Sequence, residues 1–358
     1  MTDDAPPVRT THGTVRGIAR PGSSAFLGLP YAADPVGPLR FMPPVDPEPW
    51  EGVRDATAYG PTAQRMSMIG DLGDIPRIPE PSIPGDGVLT VNVFTPVPGD
   101  TEAGLPVLVW IHGGGFTGGS PASPWYDGRS FNRDGVVVVT LGYRLGFDGF
   151  GWVEGGGLNR GVHDWIKALE WVHDNVRAFG GDPGKVTIGG QSAGGWAVQT
   201  LLSVPRVRGL LRGAISQSGP LSSGEPEPTI EASKRFAAAL GISPTLEGWR
   251  TVDEMTIIER QGEFSAVGKG SFITRDRSGM HALDAWRELV RDIPEVDRNV
   301  FYPVVDGELV VRRARDEFAS GESADVPVLF GTGRQEFVYP NDERPMEEVL
   351  AELREGGF

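Results

Sequence analysis

The chain has 358 residues and no cysteine, which excludes a disulfide framework, a zinc site built from thiolates and a cysteine nucleophile. Acidic residues outnumber basic ones, 48 to 33, and the net charge of −15 argues against nucleic acid or an anionic membrane surface as a partner. No apolar run approaches the length of about 18 residues that crosses a membrane. The first residues, MTDDAPPVRTT, lack the apolar core of a secretory signal. These features predict a cytoplasmic protein.

Glycine and proline are abundant, with 51 and 31 residues, yet 39% apolar residues and nine tryptophans indicate a folded globule. At about 150 residues per domain, the length fits one large domain or two smaller ones. A chain of this size buries enough surface to fold without disulfides or metals.

Short apolar runs rich in β-branched residues follow one another from residue 105 onward, at 107–111, 136–140, 186–188, 214–216 and 328–330. They do not alternate with polar residues, which is typical of strands buried on both faces of a parallel sheet. Apolar residues spaced by three and four predict a helix between two of these runs: Ile166, Leu169, Val172, Val176 and Phe179. We expect Gly180 and Gly181 to end this helix. The alternation of strands and helices predicts an α/β fold.

Two other regions differ from this pattern. The first hundred residues predict short strands, with a turn at His12-Gly13 and a strand over 88–94. Residues 221–300 lack buried-strand runs and predict a helical insertion over the sheet. One of its helices is expected to open with a capping box, Thr251-x-x-Glu254.

Ser192 lies in the pattern Gly190-Gln-Ser-Ala-Gly194, between an apolar run and a predicted helix. A serine at such a strand-to-helix turn is exposed at the edge of the sheet and faces the positive end of the helix. The pattern alone is weak, because a chain with 51 glycines produces it easily by chance. A glycine-rich turn with no catalytic role is the alternative.

The run at 107–111 leads directly into His112-Gly-Gly-Gly-Phe116. Successive glycines let backbone N–H groups point at one spot, which is how acyl-transfer enzymes hold the oxyanion of a tetrahedral intermediate. A loop that cradles phosphate is the alternative, but no Gly-Lys-Ser/Thr sequence follows.

Six motifs in this order resemble the type-B carboxylesterase and cholinesterase-like family of the α/β-hydrolases, nearly end to end: FLGLPYAADPVGPLRF, VLTVNVFTP, PVLVWIHGGGF, GYRLGF, ALEWVHDNVRAFGGDPGKVTIGGQSAGG and AISQSGP. The resemblance implies one α/β-hydrolase domain over 1–358, with 221–300 as its helical insertion. It also implies ester hydrolysis by a serine nucleophile, a carboxylate and a histidine, with no metal or cofactor and a small-molecule ester as the partner.

The resemblance assigns roles residue by residue. Ser192 matches the nucleophile, and the N–H groups of Gly114, Gly115 and Ala193 match the oxyanion donors. Glu336 follows the run at 328–330 and resembles the acidic member of the triad, although an ordinary surface glutamate is the alternative. Asp306 is the weaker candidate for the acid.

A catalytic histidine is expected after the acid, because this fold orders its triad as serine, acid, histidine. Residues 337–358 contain none, and all five histidines precede Glu336: His12, His112, His163, His173 and His281. We expect His112 to orient the glycine-rich loop, and we keep His281 as a substitute base. The family's C-terminal strand, histidine loop and closing helices have no counterpart, so the chain resembles the first two thirds of a longer esterase.

Other residues bear on the substrate. Gln191 stands before the serine, where the family often has glutamate. Residues 64–87 contain no tryptophan to face a quaternary ammonium group and offer Met66, Met68 and Ile69 instead. Five aromatic residues are candidates for an apolar acyl pocket, with core packing as the alternative: Trp110, Phe116, Trp125, Tyr126 and Trp152. The sequence thus predicts a hydrolase for uncharged, fairly apolar esters; an inactive homologue or binding protein is the alternative.

The resemblance also implies two structural ion pairs. Arg40 is expected opposite Asp86, and Arg144 opposite Asp164, both at least half-buried.

Overall fold

The computed structural model describes residues 4–65, 78–221, 224–264 and 300–333. The strands in these ranges are β1 (Val8–Arg9), β2 (Thr14–Arg16), β3 (Ile18–Arg20), β4 (Ser23–Pro30), β5 (Val53–Asp55), β6 (Thr90–Thr95), β7 (Leu105–Ile111), β8 (Val137–Leu141), β9 (Gly181–Gln191), β10 (Gly213–Gln217) and β11 (Val328–Gly331). The turn expected at His12-Gly13 lies between β1 and β2 and is confirmed.

The described strands form a small sheet, β1-β2-β5, and a central sheet in the order β11-β10-β9-β7-β8-β6-β4-β3. The five strands from β11 to β8 are parallel, whereas β6, β4 and β3 pair antiparallel. All five apolar runs predicted as parallel strands are found in this parallel half, so that prediction is confirmed. Strand β9 is longer than its apolar run, because Gly181 already pairs with Leu105 of β7.

Helices follow most of the parallel strands. They are α1 (Arg129–Arg133), α2 (Gly146–Phe150), α3 (Arg160–Asn175), α4 (Ala193–Leu202), α5 (Pro226–Leu240), α6 (Leu246–Arg250), α7 (Glu254–Phe264) and α8 (Ala314–Ser320). None of the helices in the described ranges is both long enough and apolar enough to cross a membrane.

The helix predicted between the runs at 136–140 and 186–188 is α3 followed by a short 3₁₀ helix, Val176–Phe179. All five predicted core residues of this face are at most 2% exposed. Gly180 ends the segment in the left-handed region at φ 84°, as expected of a helix-terminating glycine. Gly181 belongs instead to β9, since it pairs with the neighbouring strand.

The predicted helical insertion contains α5, α6 and α7, while residues 265–299 lie outside the described residues. The prediction that a capping box at Thr251 opens one of these helices is wrong. Asp253 caps α7 instead, because its carboxylate accepts from the backbone N–H of Thr256 at 2.9 Å and from the Thr256 hydroxyl. Thr251 closes the preceding helix α6, and its hydroxyl donates to the carbonyl of Gly248.

Of the two expected ion pairs, one is confirmed. Arg144 and Asp164 are 4% and 0% exposed and form two guanidinium–carboxylate bonds of 2.9 and 2.6 Å. The pairing of Arg40 with Asp86 is wrong. The Arg40 Nε atom lies 3.4 Å from the carboxylate of Asp148, since a 2.6 Å bond from Nη1 to the carbonyl of Val252 turns the guanidinium that way.

Candidate active site

Ser192 lies in the turn between the end of β9 and the start of α4, as predicted. Its φ of 57° and ψ of −122° are values that a residue with a Cβ atom rarely adopts. The backbone N–H of Ser192 donates to the carbonyl of Gln217 at 2.8 Å, and this bond to the end of β10 holds the turn. Sequence reasoning missed the contribution of Gln217, because only the register of β9 with β10 brings the two residues together.

The two glycines around Ser192 are required by close backbone contacts. A Cβ atom on Gly190 would lie 2.4 Å from the carbonyl carbon of Gly194, and one on Gly194 would lie 2.1 Å from the carbonyl oxygen of Ile111. Real Cβ atoms do not approach other atoms so closely. The turn therefore packs directly against the end of β7, where the second predicted site element begins.

The hydroxyl of Ser192 is not used to cap the helix that follows it. Serine at this position commonly accepts a hydrogen bond from the first turn, but Ser192 makes no such side-chain bond to α4. The N–H groups at the helix start carry partial positive charge, and Ala193 with its N–H lies in this first turn. The arrangement leaves both the hydroxyl and these N–H groups available for a reacting group.

The glycine loop, residues 112–119, follows β7 and lies beside Ser192. A Cβ atom on Gly113 would be 3.3 Å from the Cβ atom of Ser192, so the loop and the turn are in contact. Gly114 and Gly115 have φ values of 117° and 60°, which favour glycine. The structure thus brings together the predicted site residues that lie in described ranges. Convergence of the N–H groups of Gly114, Gly115 and Ala193 on one point stays a prediction.

His112 opens the glycine loop and is 2% exposed. Its ring stacks on Tyr143 with centroids 4.5 Å apart, and its Nδ1 atom lies 2.8 Å from the carbonyl of Gly113. Burial lowers the pKa of His112 to about 4. The hydrogen bond to the Gly113 carbonyl is the second-largest effect and acts in the opposite direction, raising the pKa. At neutral pH the ring is uncharged, and Nδ1–H donates to Gly113. This contact supports the expectation that His112 orients the loop.

Because the pKa of His112 is lower in the folded protein than in the unfolded chain, the unfolded chain takes up the proton first as the pH falls. His112 therefore reduces the free energy of unfolding between about pH 6.5 and pH 4, by about 3 kcal/mol in total. Chemical unfolding of His112→Gln should show this loss of stability on acidification reduced by that amount, with His173→Gln as the exposed control. An identical pH dependence in both variants would contradict the assignment.

The other described histidines belong to α3 and to the turn between β1 and β2. His163 belongs to α3, and His173 is half-exposed and lies 3.3 Å from the carboxylate of Asp174. His12 and His173 line one surface cavity of about 260 Å³ together with Lys167. Within the described ranges, no histidine is hydrogen bonded to the Ser192 hydroxyl. His281, the substitute base, lies outside the described residues.

Glu336, predicted as the acid, also lies outside the described residues, and its role stays a prediction. The strand that leads to it is described: Gly331 pairs with Gln217 of β10, and Gln217 pairs with Gln191 of β9. The carboxyl ends of β9, β10 and β11 are therefore side by side at one edge of the sheet. The chain leaves β11 at the same edge that carries Ser192.

The carboxylate of Asp306, the weaker candidate for the acid, accepts hydrogen bonds within the turn that follows it. One oxygen accepts the backbone N–H groups of three successive residues, 308 to 310, at 2.8 to 3.0 Å. The other accepts from the side-chain amide of Asn159 at 2.7 Å. These contacts favour a structural role.

The candidate pocket aromatics divide into core and surface residues. Phe116 is 1% exposed and packs edge-on against Trp196 with ring centroids 5.3 Å apart, whereas Trp125 is 60% exposed. Trp110 is half-buried and lies against Tyr126, and Trp152 is half-buried with the ammonium of Lys234 over its ring. Met66, Met68 and Ile69 lie outside the described residues. In the described ranges, no cluster of three or more histidine, aspartate or glutamate side chains is arranged to hold a metal ion.

Comparison with known proteins agrees with this geometry. The model of the Carboxylesterase family matches residues 4–353. The para-nitrobenzyl esterase of Bacillus subtilis (strain 168) is 35% identical over 355 residues, covering 96% of this chain and 66% of that protein. The fumonisin B1 esterase of Sphingopyxis macrogoltabida is 34% identical over 364 residues, covering 98% of this chain and 60% of that protein.

A solved structure of PNB esterase superposes with a TM-score of 0.78 at 32% sequence identity, covering 98% of this chain and 68% of the other. The α/β-hydrolase fold predicted from the motifs is confirmed by this likeness. The chain spans about two thirds or less of the length of these curated relatives. With a family model that matches nearly all of its residues, the chain belongs to the carboxylesterase family.

Proposed function

We propose that this protein hydrolyses uncharged, fairly apolar carboxylic esters through an acyl-enzyme on Ser192. The observation that carries the proposal is the backbone of Ser192, with φ 57° and ψ −122°, together with a hydroxyl that does not cap α4. A serine is rarely held in such a conformation, and strain of this kind is found mainly where function requires it.

The chemistry follows from the surroundings of Ser192. The Ser192 oxygen attacks the ester carbonyl and gives its proton to a histidine base, and the carbonyl oxygen becomes an oxyanion. Backbone N–H groups of Gly114, Gly115 and Ala193 stabilise this charge. The alcohol leaves with the proton from the base, and water then attacks the acyl group on Ser192 to release the acid. Glu336 is the residue we propose to orient the base.

The proposed substrate class rests on the groups near the serine. Gln191 places a neutral amide where a carboxylate would attract a cationic substrate. Trp196 of α4 is half-buried and packs against the buried ring of Phe116 in the glycine loop. The exposed part of Trp196 is apolar surface, which favours an apolar acyl or alcohol group over a charged one.

A non-catalytic binding protein with the same fold is the second hypothesis. It is favoured by the lack of a histidine hydrogen bonded to Ser192 within the described ranges. The strained serine favours the enzyme, since backbone strain costs stability and a binding protein does not need it at this position.

A fluorophosphonate probe with an apolar chain distinguishes the two hypotheses. We expect intact-mass spectrometry to show one slow adduct, mapped by peptide digestion to Ser192. Ser192→Ala should show none, whereas Ser243→Ala, at an exposed serine, should label at the wild-type rate. Labelling that persists in Ser192→Ala, or a wild-type chain that never labels, would contradict the proposed function.

A further inference from the structure

Residues 80 and 81 lie against the far end of the glycine loop, and the contact involves a buried arginine that the chemistry above does not use. We propose that Glu80 and Arg65 are positioning residues that hold Gly119 and thereby fix the N–H of Gly114. The inference rests on the proposed function, because it assigns to these residues the shape of the proposed oxyanion site.

The first link is a hydrogen bond between Glu80 and the loop. One carboxylate oxygen of Glu80, Oε2, accepts the backbone N–H of Gly119 at 3.3 Å. A second bond runs in parallel, because the hydroxyl of the buried Ser120 donates to the carbonyl of Pro81 at 2.8 Å. Two neighbouring residues of the loop end are therefore tied to two neighbouring residues of segment 80–81.

The second link runs from Gly119 to Gly114 by direct backbone packing. A Cβ atom on Gly114 would lie 2.3 Å from the carbonyl group of Gly118 and 2.7 Å from the nitrogen of Gly119. A Cβ atom on Gly119 would lie 2.1 Å from the carbonyl oxygen of Gly113. The peptide that donates to Glu80 is thus pressed against the residue whose N–H we assign to the oxyanion, so a shift of Gly119 also shifts Gly114.

Arg65 holds Glu80 in place. Its side chain is 5% exposed, and its Nε atom lies 3.7 Å from the Glu80 carboxylate. Its Nη2 atom donates to the backbone carbonyl of Glu80 and its Nη1 atom to that of Ala63, each at 3.0 Å. Arg65 therefore fixes the backbone and the carboxylate of Glu80 together.

A purely structural clamp would also lower stability when broken, so the test must read the reaction itself. In a single turnover of p-nitrophenyl butyrate, the acylation rate constant reports the oxyanion site and the apparent dissociation constant reports ground-state binding. A misplaced oxyanion donor lowers the acylation rate constant and leaves the apparent dissociation constant unchanged. A structural role alone leaves both unchanged in the folded fraction.

We expect Glu80→Ala to lower the acylation rate constant about 10- to 100-fold with unchanged ground-state binding, since small misplacements at a reacting centre have effects of this size. Glu80→Gln keeps an oxygen for the Gly119 N–H and should remain within about threefold of wild type. Glu48→Ala removes the same charge at an exposed site and should have no effect.

Gly114→Ala is the benchmark: it keeps the N–H, but its Cβ atom would lie 2.3 Å from the carbonyl group of Gly118 and must displace this donor, with an expected loss of up to about 10²–10³-fold, the effect of losing one oxyanion donor. If Gly114→Ala slows acylation and Glu80→Ala does not, the positioning role is overturned and the proposed function stands. If neither Gly114→Ala nor Ser192→Ala slows acylation, the proposed function itself fails. Should Glu80→Ala not fold, Ser120→Ala decides: an unchanged acylation rate overturns the proposal, and a slower one supports it.

Discussion

A fusion of the 358 residues to the C-terminal third of the Bacillus subtilis esterase should hydrolyse p-nitrophenyl butyrate at least about 10³-fold faster than the 358 residues alone, because loss of the histidine base costs serine hydrolases this much or more. The physical reason is that a base must accept the hydroxyl proton of Ser192 when its oxygen attacks the ester. No histidine is hydrogen bonded to this hydroxyl in the described ranges, and a serine without a base is a weak nucleophile. Steady-state turnover of both proteins at equal concentration measures the gain.

Two controls make the result specific. Ser192→Ala in the fusion should remove the gain, and a fusion that carries alanine in place of its added histidine should behave as the 358 residues do. The residual reaction of the 358 residues should be a slow burst with little turnover, since the oxyanion site and binding alone still give about 10³–10⁴-fold over water. Rapid steady turnover without the added segment would contradict this prediction, and His281→Ala would then identify the base.

The fusion should also yield more soluble protein. Leu329 and Phe330 of β11 are 64% and 48% exposed, and β11 is the edge strand of the described central sheet. Exposed apolar edge strands promote aggregation by pairing with other chains. The soluble fraction measured after expression of both proteins tests this expectation.

Asp164→Ala should lower the free energy of unfolding by about 3–5 kcal/mol, because it leaves the guanidinium of Arg144 buried without its carboxylate. Arg144 is 4% exposed and cannot recover this loss by turning toward water. The Asp164 carboxylate also accepts a hydrogen bond from the backbone N–H of Arg144 at 3.1 Å. The substitution therefore also removes the hydrogen bond that holds the backbone just before α2. Chemical unfolding of both proteins at pH 7 measures the difference.

Asp134→Ala is the matched control, since Asp134 and its partner Arg133 are 64% and 77% exposed. Its free energy of unfolding should equal that of the wild type, because water screens exposed pairs. Asp164→Asn keeps the shape and removes the charge, and should fall between the wild type and Asp164→Ala. Equal stability of Asp164→Ala and wild type would show that the pair makes no net contribution.

The sequence alone predicted the features that depend on local chemistry. The apolar runs of the parallel strands, the apolar face of α3 and the turn at Ser192 are each encoded within a few successive residues. Glycine spacing is informative for the same reason, because Gly190 and Gly194 are needed wherever the backbone turns sharply next to a strand. The motif order was sufficient to identify the family, since long motifs are specific even when their three-dimensional contacts are unknown.

Contacts between distant segments were predicted less well. Arg40 was expected beside Asp86 and lies instead near Asp148, and the capping residue of α7 is Asp253 rather than Thr251. Thr251 stands two residues from the true capping residue, whereas Asp86 is far in sequence from Asp148, the true partner of Arg40. Which partner is used depends on side-chain direction and backbone position, and these are set only when the helices pack on the sheet.

The α/β class, the family and the candidate nucleophile all follow from the sequence, because backbone propensity and glycine spacing are local properties. Three-dimensional packing is needed to show that His112 is buried and uncharged, that Gln217 holds the Ser192 turn, and that Glu80 contacts Gly119. Each of these depends on segments far apart in the chain that meet through strand register and loop packing. Contacts of this kind leave no pattern in the sequence near either residue. The free energy that stabilises them comes from burial and hydrogen bonding across the whole fold.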